Sequence, residues 1–144
     1  MHLALLEAQK ALAEGEIPVG AVLAAGNEVV ASGHNRREQN ADFLAHAEIE
    51  TLKNAQQKKG DWRMENARLY VTLEPCPMCA GALLQARVGE VIFGAYDKQY
   101  GAAGSVLNLL DYPGLSLSSL VRGGILRESC EELLEVFFRN LRAR

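Results

Sequence analysis

The stretch LYVTLEPCPMCAGALLQARVGEVIFGA, residues 69–95, decides the fold because two apolar segments flank a helical pattern in it. Leu69–Leu73 predicts a strand, Pro75-Cys76-Pro77 opens a helix that continues to Arg87, and Val88–Ala95 predicts a second strand. A strand, a helix and a strand in this order imply a right-handed crossover between parallel strands. Since parallel sheets are covered by helices on their faces, the pattern predicts an α/β protein.

The flanking sequence predicts further helices and strands. Leu3, Leu5, Leu6, Ala8, Ala11 and Leu12 recur at helical spacing and predict a first amphipathic helix over about residues 2–14. Two strands are expected over 17–25 and 29–33, joined by a tight hairpin at Gly26-Asn27, and a second helix is expected to begin near His46. Towards the C-terminus we expect a long loop over 97–121, with a short helical turn around Val106–Leu110, and a final helix over about 127–141.

Length and composition limit the classes of protein that this chain can belong to. With 144 residues, 49% apolar and 23% charged, residues 1–144 suit one folded domain, and no apolar run is long enough to span a membrane. Three cysteines are an odd number for a disulfide framework, and no secretory signal pattern follows Met1, so we expect a cytoplasmic protein. The net charge of −3 excludes a strongly basic nucleic-acid coat but leaves room for a local basic patch.

Two short elements carry residues that bind metals. Cys76 and Cys79 stand three positions apart at the start of a predicted helix, so both sulfurs can reach one ion, and a helix N-terminus favours thiolates. His46 would add an imidazole, and this N/S donor set suits Zn²⁺. Because the chain offers no good fourth protein ligand, an open position, which is typical of catalytic zinc, is the better interpretation.

Glu48 follows His46 by two positions, and residues at this spacing do not share a face of a regular helix. Both side chains can reach one site only if His46 lies in the capping region. Glu48 would then lie beside a zinc-activated water without binding the metal, and could move its proton to a substrate nitrogen. This constellation predicts a hydrolytic deaminase.

The order H-x-E followed by P-C-x-x-C matches the signature of zinc-dependent nucleobase deaminases. Over nearly its whole length the chain resembles one branch of that superfamily, the bacterial tRNA-specific adenosine deaminases. The matching segments are Glu16–Val22, Asn35-Arg36, Ala45–Ile49, Leu69–Cys76, Phe93–Ala95, Asp97, Gly101–Ser105 and Phe137–Arg139.

The resemblance implies a three-layer α/β/α fold of the cytidine deaminase type, with a central mixed sheet of about five strands flanked by helices. It further implies a homodimer that converts the wobble adenosine of an arginine tRNA anticodon stem-loop to inosine. By the same resemblance, His46, Cys76 and Cys79 bind one zinc ion and Glu48 shuttles protons. Substrate contacts are implied for Asn35 on the flipped base, for Ile17 and Leu73 as pocket walls, and for Asp97, Lys98, Phe138 and Arg139 on the flanking nucleotides.

The chain departs from the family pattern near the expected RNA contacts. Asp42-Phe43-Leu44 stands where aspartate, proline and threonine are common, Tyr96 replaces a common basic residue, and Tyr100 lies in the same loop as Tyr96. These positions bear on sequence-context preference. Two alternatives stay open: a deaminase of a free base or nucleotide on the same fold, and a non-catalytic zinc-stabilised RNA-binding subunit, against which the intact Glu48 argues. Cys130 is expected to be a buried core residue.

Overall fold

The computed structural model describes residues 1–144 and contains four helices and five strands. Their bounds are α1 His2–Ala13, β1 Gly20–Ala25, β2 Glu28–His34, α2 Ala47–Lys59, β3 Ala67–Leu73, α3 Pro77–Gln85, β4 Glu90–Ala95, β5 Leu120–Arg122 and α4 Arg127–Arg142.

The strands form one mixed sheet in the order β2-β1-β3-β4-β5. β1 pairs antiparallel with both β2 and β3, whereas β3 with β4, and β4 with β5, pair in parallel. The predicted hairpin and the predicted parallel crossover are therefore confirmed. Since β1 alone runs in the opposite direction, the carboxyl ends of β2, β3 and β4 meet at one edge of the sheet.

Helices cover both faces of the sheet, as close approaches at three glycines show. A Cβ on Gly33 would lie 2.9 Å from Thr51 of α2. Gly20 faces the other side of the sheet, because its partner in β2 is His34, the residue after Gly33. A Cβ on Gly20 would lie 2.1 Å from the carbonyl oxygen of Ala4 in α1. A Cβ on Gly94 would meet Cys130 of α4. By the alternation of strand side chains, α1 and α4 share one face and α2 lies on the other, with α3 packed against it. The expected three-layer α/β/α fold is confirmed.

The two faces of the sheet are packed differently. Large side chains fill the space between the sheet and α2 and α3, among them Leu69, Leu83 and Phe93. On the opposite face, α1 contributes the methyl groups of Ala4, Ala8 and Ala11, each fully buried, and the buried side chain of Glu7. Because α1 lies so close to Gly20, the larger side chains of Leu3 and Leu6 are directed outward and are about half exposed. The helix predicted from the spacing of apolar residues is confirmed, but Leu3 and Leu6 do not belong to the buried face of α1.

Three details of the predicted elements are wrong. The first strand begins at Gly20 and not at Ile17, and Val106–Leu110 forms no helical turn. Instead, Asn108 makes an isolated antiparallel bridge with Ala103. The edge strand β5 was missed, because three residues are too few to show a periodicity. No helix has both the length and the apolar character needed to cross a bilayer.

Candidate active site

The proposed ligands lie at the sheet edge where β2, β3 and β4 end and where α2 and α3 begin. His46 is the N-cap residue of α2 and Cys76 is the N-cap residue of α3, both with extended backbone, and Pro77 occupies the first turn of α3. Asn35 follows β2, Leu73 ends β3 and Asp97 follows β4. The strand order thus brings together residues that lie far apart in the sequence.

His46, Cys76 and Cys79 form a compact group of potential metal ligands. The His46 Nδ1 atom lies 3.6 Å from the Cys76 Sγ atom and 3.5 Å from the Cys79 Sγ atom. Tetrahedral zinc with ordinary Zn–N and Zn–S bond lengths separates nitrogen and sulfur ligands by about 3.6 Å. The three side chains therefore fit a zinc ion in both donor type and spacing.

Hydrogen bonding within this group favours a thiolate. Interaction with the neighbouring Cys79 thiol, assisted by the hydrogen bond to His46, lowers the pKa of Cys76 to about 4 despite its partial burial. The same contact and burial raise the pKa of Cys79. The hydrogen bond to Cys76 also raises the pKa of His46. Thiolate is the form in which cysteine binds metals.

Glu48 lies directly beside the three potential ligands, in the first turn of α2. Its side chain is buried next to Cys79. Burial raises the pKa of Glu48 to about 7, and the Cys76 charge adds to this effect while His46 opposes it. The extended backbone of His46 meets the condition under which both side chains can face one site.

A cavity of about 530 Å³ opens at this edge of the sheet. Four of the residues predicted from the sequence to contact substrate line it together with His46, Glu48 and Cys76: Ile17, Asn35, Leu73 and Asp97. Lys98 is not among the lining residues. Phe138 and Arg139 line a separate depression on α4 with Leu134. The structure therefore gathers one part of the predicted substrate-contact set at the cavity and leaves the other part outside it.

Asn35 is buried and already uses half of its hydrogen-bonding capacity. Its Nδ2 donates to the carbonyl of Ile17 over 3.2 Å, and its Oδ1 accepts from the backbone N–H of Arg37 over 3.1 Å. A side-chain amide has two N–H donors and two oxygen lone pairs, so one donor and one acceptor site are left. These two contacts fix the position of the amide.

The sequence analysis missed several cavity residues. Arg37, Phe43 and Tyr100 line the cavity, and the other members of this group are Val19, Ala47, Glu74, Pro77 and Met78. The sequence singled out Phe43 as a departure from the family pattern and Tyr100 as a neighbour of Tyr96 in one loop, but it did not predict either as a cavity residue. Neither residue matches a motif, so only the tertiary structure identifies them as cavity residues.

Two buried carboxylates hold the backbone of the loops around the cavity. Glu74 accepts hydrogen bonds from the backbone N–H groups of Asp97, Ala103 and Ser105 over 3.0–3.1 Å, and from the Ser105 hydroxyl. Glu16 accepts from the N–H groups of Glu38 and Gln39 over 3.1 and 2.7 Å. A buried carboxylate needs such donors, and in return it fixes the conformation of the segment that provides them.

Comparison with known proteins identifies close relatives of the chain. A family model described as MafB19-like deaminase matches residues 1–142. The chain is 46% identical over 144 residues to a tRNA-specific adenosine deaminase from Bacillus subtilis (strain 168). The alignment covers all of this chain and 89% of the relative.

Solved structures give a consistent result. One from a study of A-to-I editing by tRNA:A34 deaminases at the wobble position of transfer RNA superimposes with a TM-score of 0.89 and 39% identity, covering 93% of this chain and 97% of the other. A guanine deaminase from Bacillus subtilis superimposes with a TM-score of 0.63 and 33% identity, covering 66% and 61% of the two chains.

Proposed function

Since this chain belongs to the tRNA-specific adenosine deaminase family, within the MafB19-like deaminases, we propose that it hydrolyses the wobble adenosine of a tRNA to inosine and ammonia. The observation that carries the proposal is the convergence of His46, Cys76 and Cys79 with the buried Glu48 at a cavity of about 530 Å³, which is large enough to admit a nucleobase.

His46, Cys76 and Cys79 would hold one zinc ion, because their donor atoms match its preferred ligands and spacing. A bound zinc ion supplies Lewis acidity, which makes water a competent nucleophile near neutral pH.

Glu48 would carry out the proton transfers. Its carboxylate takes a proton from the water that attacks C6 of adenine and delivers a proton to the ring nitrogen N1, and it then assists the departure of the amine as ammonia. Burial beside the potential ligands keeps Glu48 within reach of both the water and the base.

The base would be recognised by the wall of the cavity. Asn35 has one donor and one acceptor left, which matches the donor and acceptor that adenine presents at N6 and N7. Ile17 and Leu73 would supply the apolar surfaces on either side of the ring. Asp97 at the rim would contact a neighbouring nucleotide.

Three further proposals concern the RNA and the assembly. The substrate would be the anticodon stem-loop of an arginine tRNA, where single-stranded bases can be reached without opening a duplex. Lys98, Phe138 and Arg139 would contact flanking nucleotides. Because Phe138 and Arg139 lie outside the cavity, a homodimer in which α4 approaches the partner's substrate would give them this role. We also propose that residues 1–144 act as one domain in the cytoplasm.

A deaminase of a free base is the second candidate, because the guanine deaminase likeness covers two thirds of the chain. The experiment that separates the candidates offers an arginine-tRNA anticodon stem-loop, free guanine and cytidine to the purified protein, and measures inosine and ammonia. We expect turnover of the stem-loop alone. Turnover of only the small molecules would reject the tRNA substrate.

The proton-transfer role is tested with Glu48→Ala. We expect a loss of about 10²–10⁴-fold in kcat, which is the usual contribution of general acid–base catalysis. Glu50→Ala changes another acidic residue in the first turn of α2 and is the matched control, with activity near that of the unaltered protein. Retained activity in Glu48→Ala would exclude this residue as the proton carrier.

A further inference from the structure

The two most exposed aromatic side chains of the molecule both line the cavity. Phe43 is 76% exposed and Tyr100 is 66% exposed, although each borders the same concave site as His46 and Glu48. Single exposed apolar residues are common on protein surfaces. Two flat rings that line one cavity are a more specific arrangement.

The strand order places these rings on different sides of the opening. Phe43 belongs to the loop that follows β2, and Tyr100 belongs to the loop that follows β4. In the sheet, β2 and β4 stand three positions apart, which is about 14 Å at the usual strand spacing. The space between the two loops therefore has room for more than one base.

Both loops have a fixed backbone. On one side, Glu16 accepts from Glu38 and Gln39, and the Asp42 carboxylate accepts from the N–H of Leu44, next to Phe43. Such bonds hold the backbone that carries the ring.

On the other side, Glu74 holds the segment from Asp97 to Ser105. Within it, the Asp97 carboxylate accepts from the N–H of Tyr100 over 3.0 Å. The rings are exposed, but the backbones that carry them are ordered by buried or local carboxylates.

We propose that Phe43 and Tyr100 form an aromatic clamp that stacks on the nucleobases immediately before and after the target adenosine of a single-stranded RNA loop. The proposal rests on the proposed function. Every base has a π face, so aromatic platforms hold single strands with little dependence on sequence. Loss of one base–aromatic stack weakens binding roughly tenfold to a hundredfold. A free base has no neighbours and would gain nothing from the clamp.

The first measurement is steady-state kinetics on the stem-loop. In Phe43→Ala and in Tyr100→Ala we expect kcat/KM to fall about tenfold or more, mainly through KM, with zinc content and melting temperature unchanged. Phe43→Trp and Tyr100→Phe keep the π face and should retain activity, whereas Phe43→Leu keeps apolar bulk without the π face and should behave like Phe43→Ala. Trp62→Ala, which removes a half-exposed aromatic at the far end of α2, is the control and should act like the unaltered protein.

The second measurement reports stacking directly. A stem-loop with 2-aminopurine on either side of the target adenosine is titrated with protein in the Glu48→Ala background, where the substrate persists. We expect the fluorescence at each flanking position to change on binding, and each change to be lost when the ring that stacks there is replaced by alanine or leucine.

The outcomes separate the clamp from the function on which it rests. If the unaltered protein deaminates the stem-loop but the flanking fluorescence does not respond to loss of either ring, the clamp is rejected and the function stands. If the alanine variants keep kcat/KM within twofold, the clamp is also rejected. If the unaltered protein neither binds nor deaminates the stem-loop, the proposed function fails and the clamp fails with it.

Discussion

The Nδ1 atom of His46 lies 3.6 Å from the Sγ atom of Cys76, although 30 residues separate them in the sequence. Each residue is the N-cap of its helix, and both helices begin at the same edge of the sheet. The positive ends of two helix dipoles therefore meet where the cysteine sulfurs lie, which favours the thiolate form that a metal requires.

Removal of one ligand should abolish metal binding. In Cys76→Ala we expect zinc content to fall from one ion per chain to less than about a tenth of that. Loss of a residue that only hydrogen-bonds to a ligand already lowers metal affinity about 10–100-fold, and loss of a ligand itself should lower it further. Elemental analysis of the purified variant measures this. Cys130→Ala is the matched control, because Cys130 is buried against Gly94 on the opposite face of the sheet, and it should keep its zinc. Full zinc content in Cys76→Ala would contradict the proposed ligand set.

Replacement of Glu74 by glutamine should loosen the loop beside the cavity. In the glutamine variant an NH₂ group replaces one carboxylate oxygen. This NH₂ group cannot accept a hydrogen bond, so it would face the backbone N–H donors of the loop without forming one. We expect a loss of about 1–3 kcal/mol in the free energy of unfolding. Hydrogen exchange should become faster at the amides of Asp97, Ala103 and Ser105. Urea denaturation and exchange mass spectrometry measure the two effects.

Glu65→Gln is the control for this substitution, because Glu65 is exposed, and its unfolding free energy should change by less than about 0.5 kcal/mol. Unchanged exchange in Glu74→Gln would show that the loop does not depend on this carboxylate.

Glu7 should stabilise the packing of α1 in a pH-dependent way. Burial disfavours its charge, but hydrogen bonds from His34, Lys10 and Ser32 outweigh burial and lower the pKa of Glu7 below its usual 4.5. Because the pKa is lower in the folded state, the stabilisation is present above the unfolded pKa and is lost as pH falls through the folded pKa. We expect Glu7→Gln to cost about 1–2 kcal/mol near neutral pH.

Urea denaturation of both proteins over a pH series tests this expectation. The difference between Glu7→Gln and the unaltered protein should shrink as the pH falls below 4.5. A difference that grows on acidification would contradict the assignment of the stabilisation to the ionised carboxylate.

Two glycines should respond to alanine in opposite directions. A Cβ on Gly20 would lie 2.1 Å from the carbonyl oxygen of Ala4, so Gly20→Ala must push α1 off the sheet and should cost at least about 2 kcal/mol. Gly81 lies within α3 with nothing near its potential Cβ, so Gly81→Ala should stabilise by about 0.5–1 kcal/mol through helix propensity. Thermal denaturation measures both. A stable Gly20→Ala variant would show that α1 does not pack as closely as the structure indicates.

The parts of the fold that could be predicted from the sequence depend on short-range patterns. The crossover from β3 through α3 to β4 and the final helix follow from hydrophobic periodicity and from Pro77 at a helix start. A long loop over 97–121 was predicted, but the conformation of its first part was not, because Asp97, Ala103 and Ser105 donate hydrogen bonds to Glu74, which lies 23–31 residues earlier in the chain. The buried face of α1 depends in the same way on Gly20 in the neighbouring sheet.

By itself, the sequence determined the α/β class, the family and the membership of the group His46, Cys76, Cys79 and Glu48. Helix starts and motif spacings are local properties of the chain, so they can be recognised without the fold. Only the tertiary structure decided what surrounds that group. It placed Phe43 and Tyr100 at the rim, and it left Phe138 and Arg139 outside the cavity. The physical reason is that the rim is formed by loops from different strands, and their positions follow from strand order and from hydrogen bonds to buried carboxylates distant in sequence.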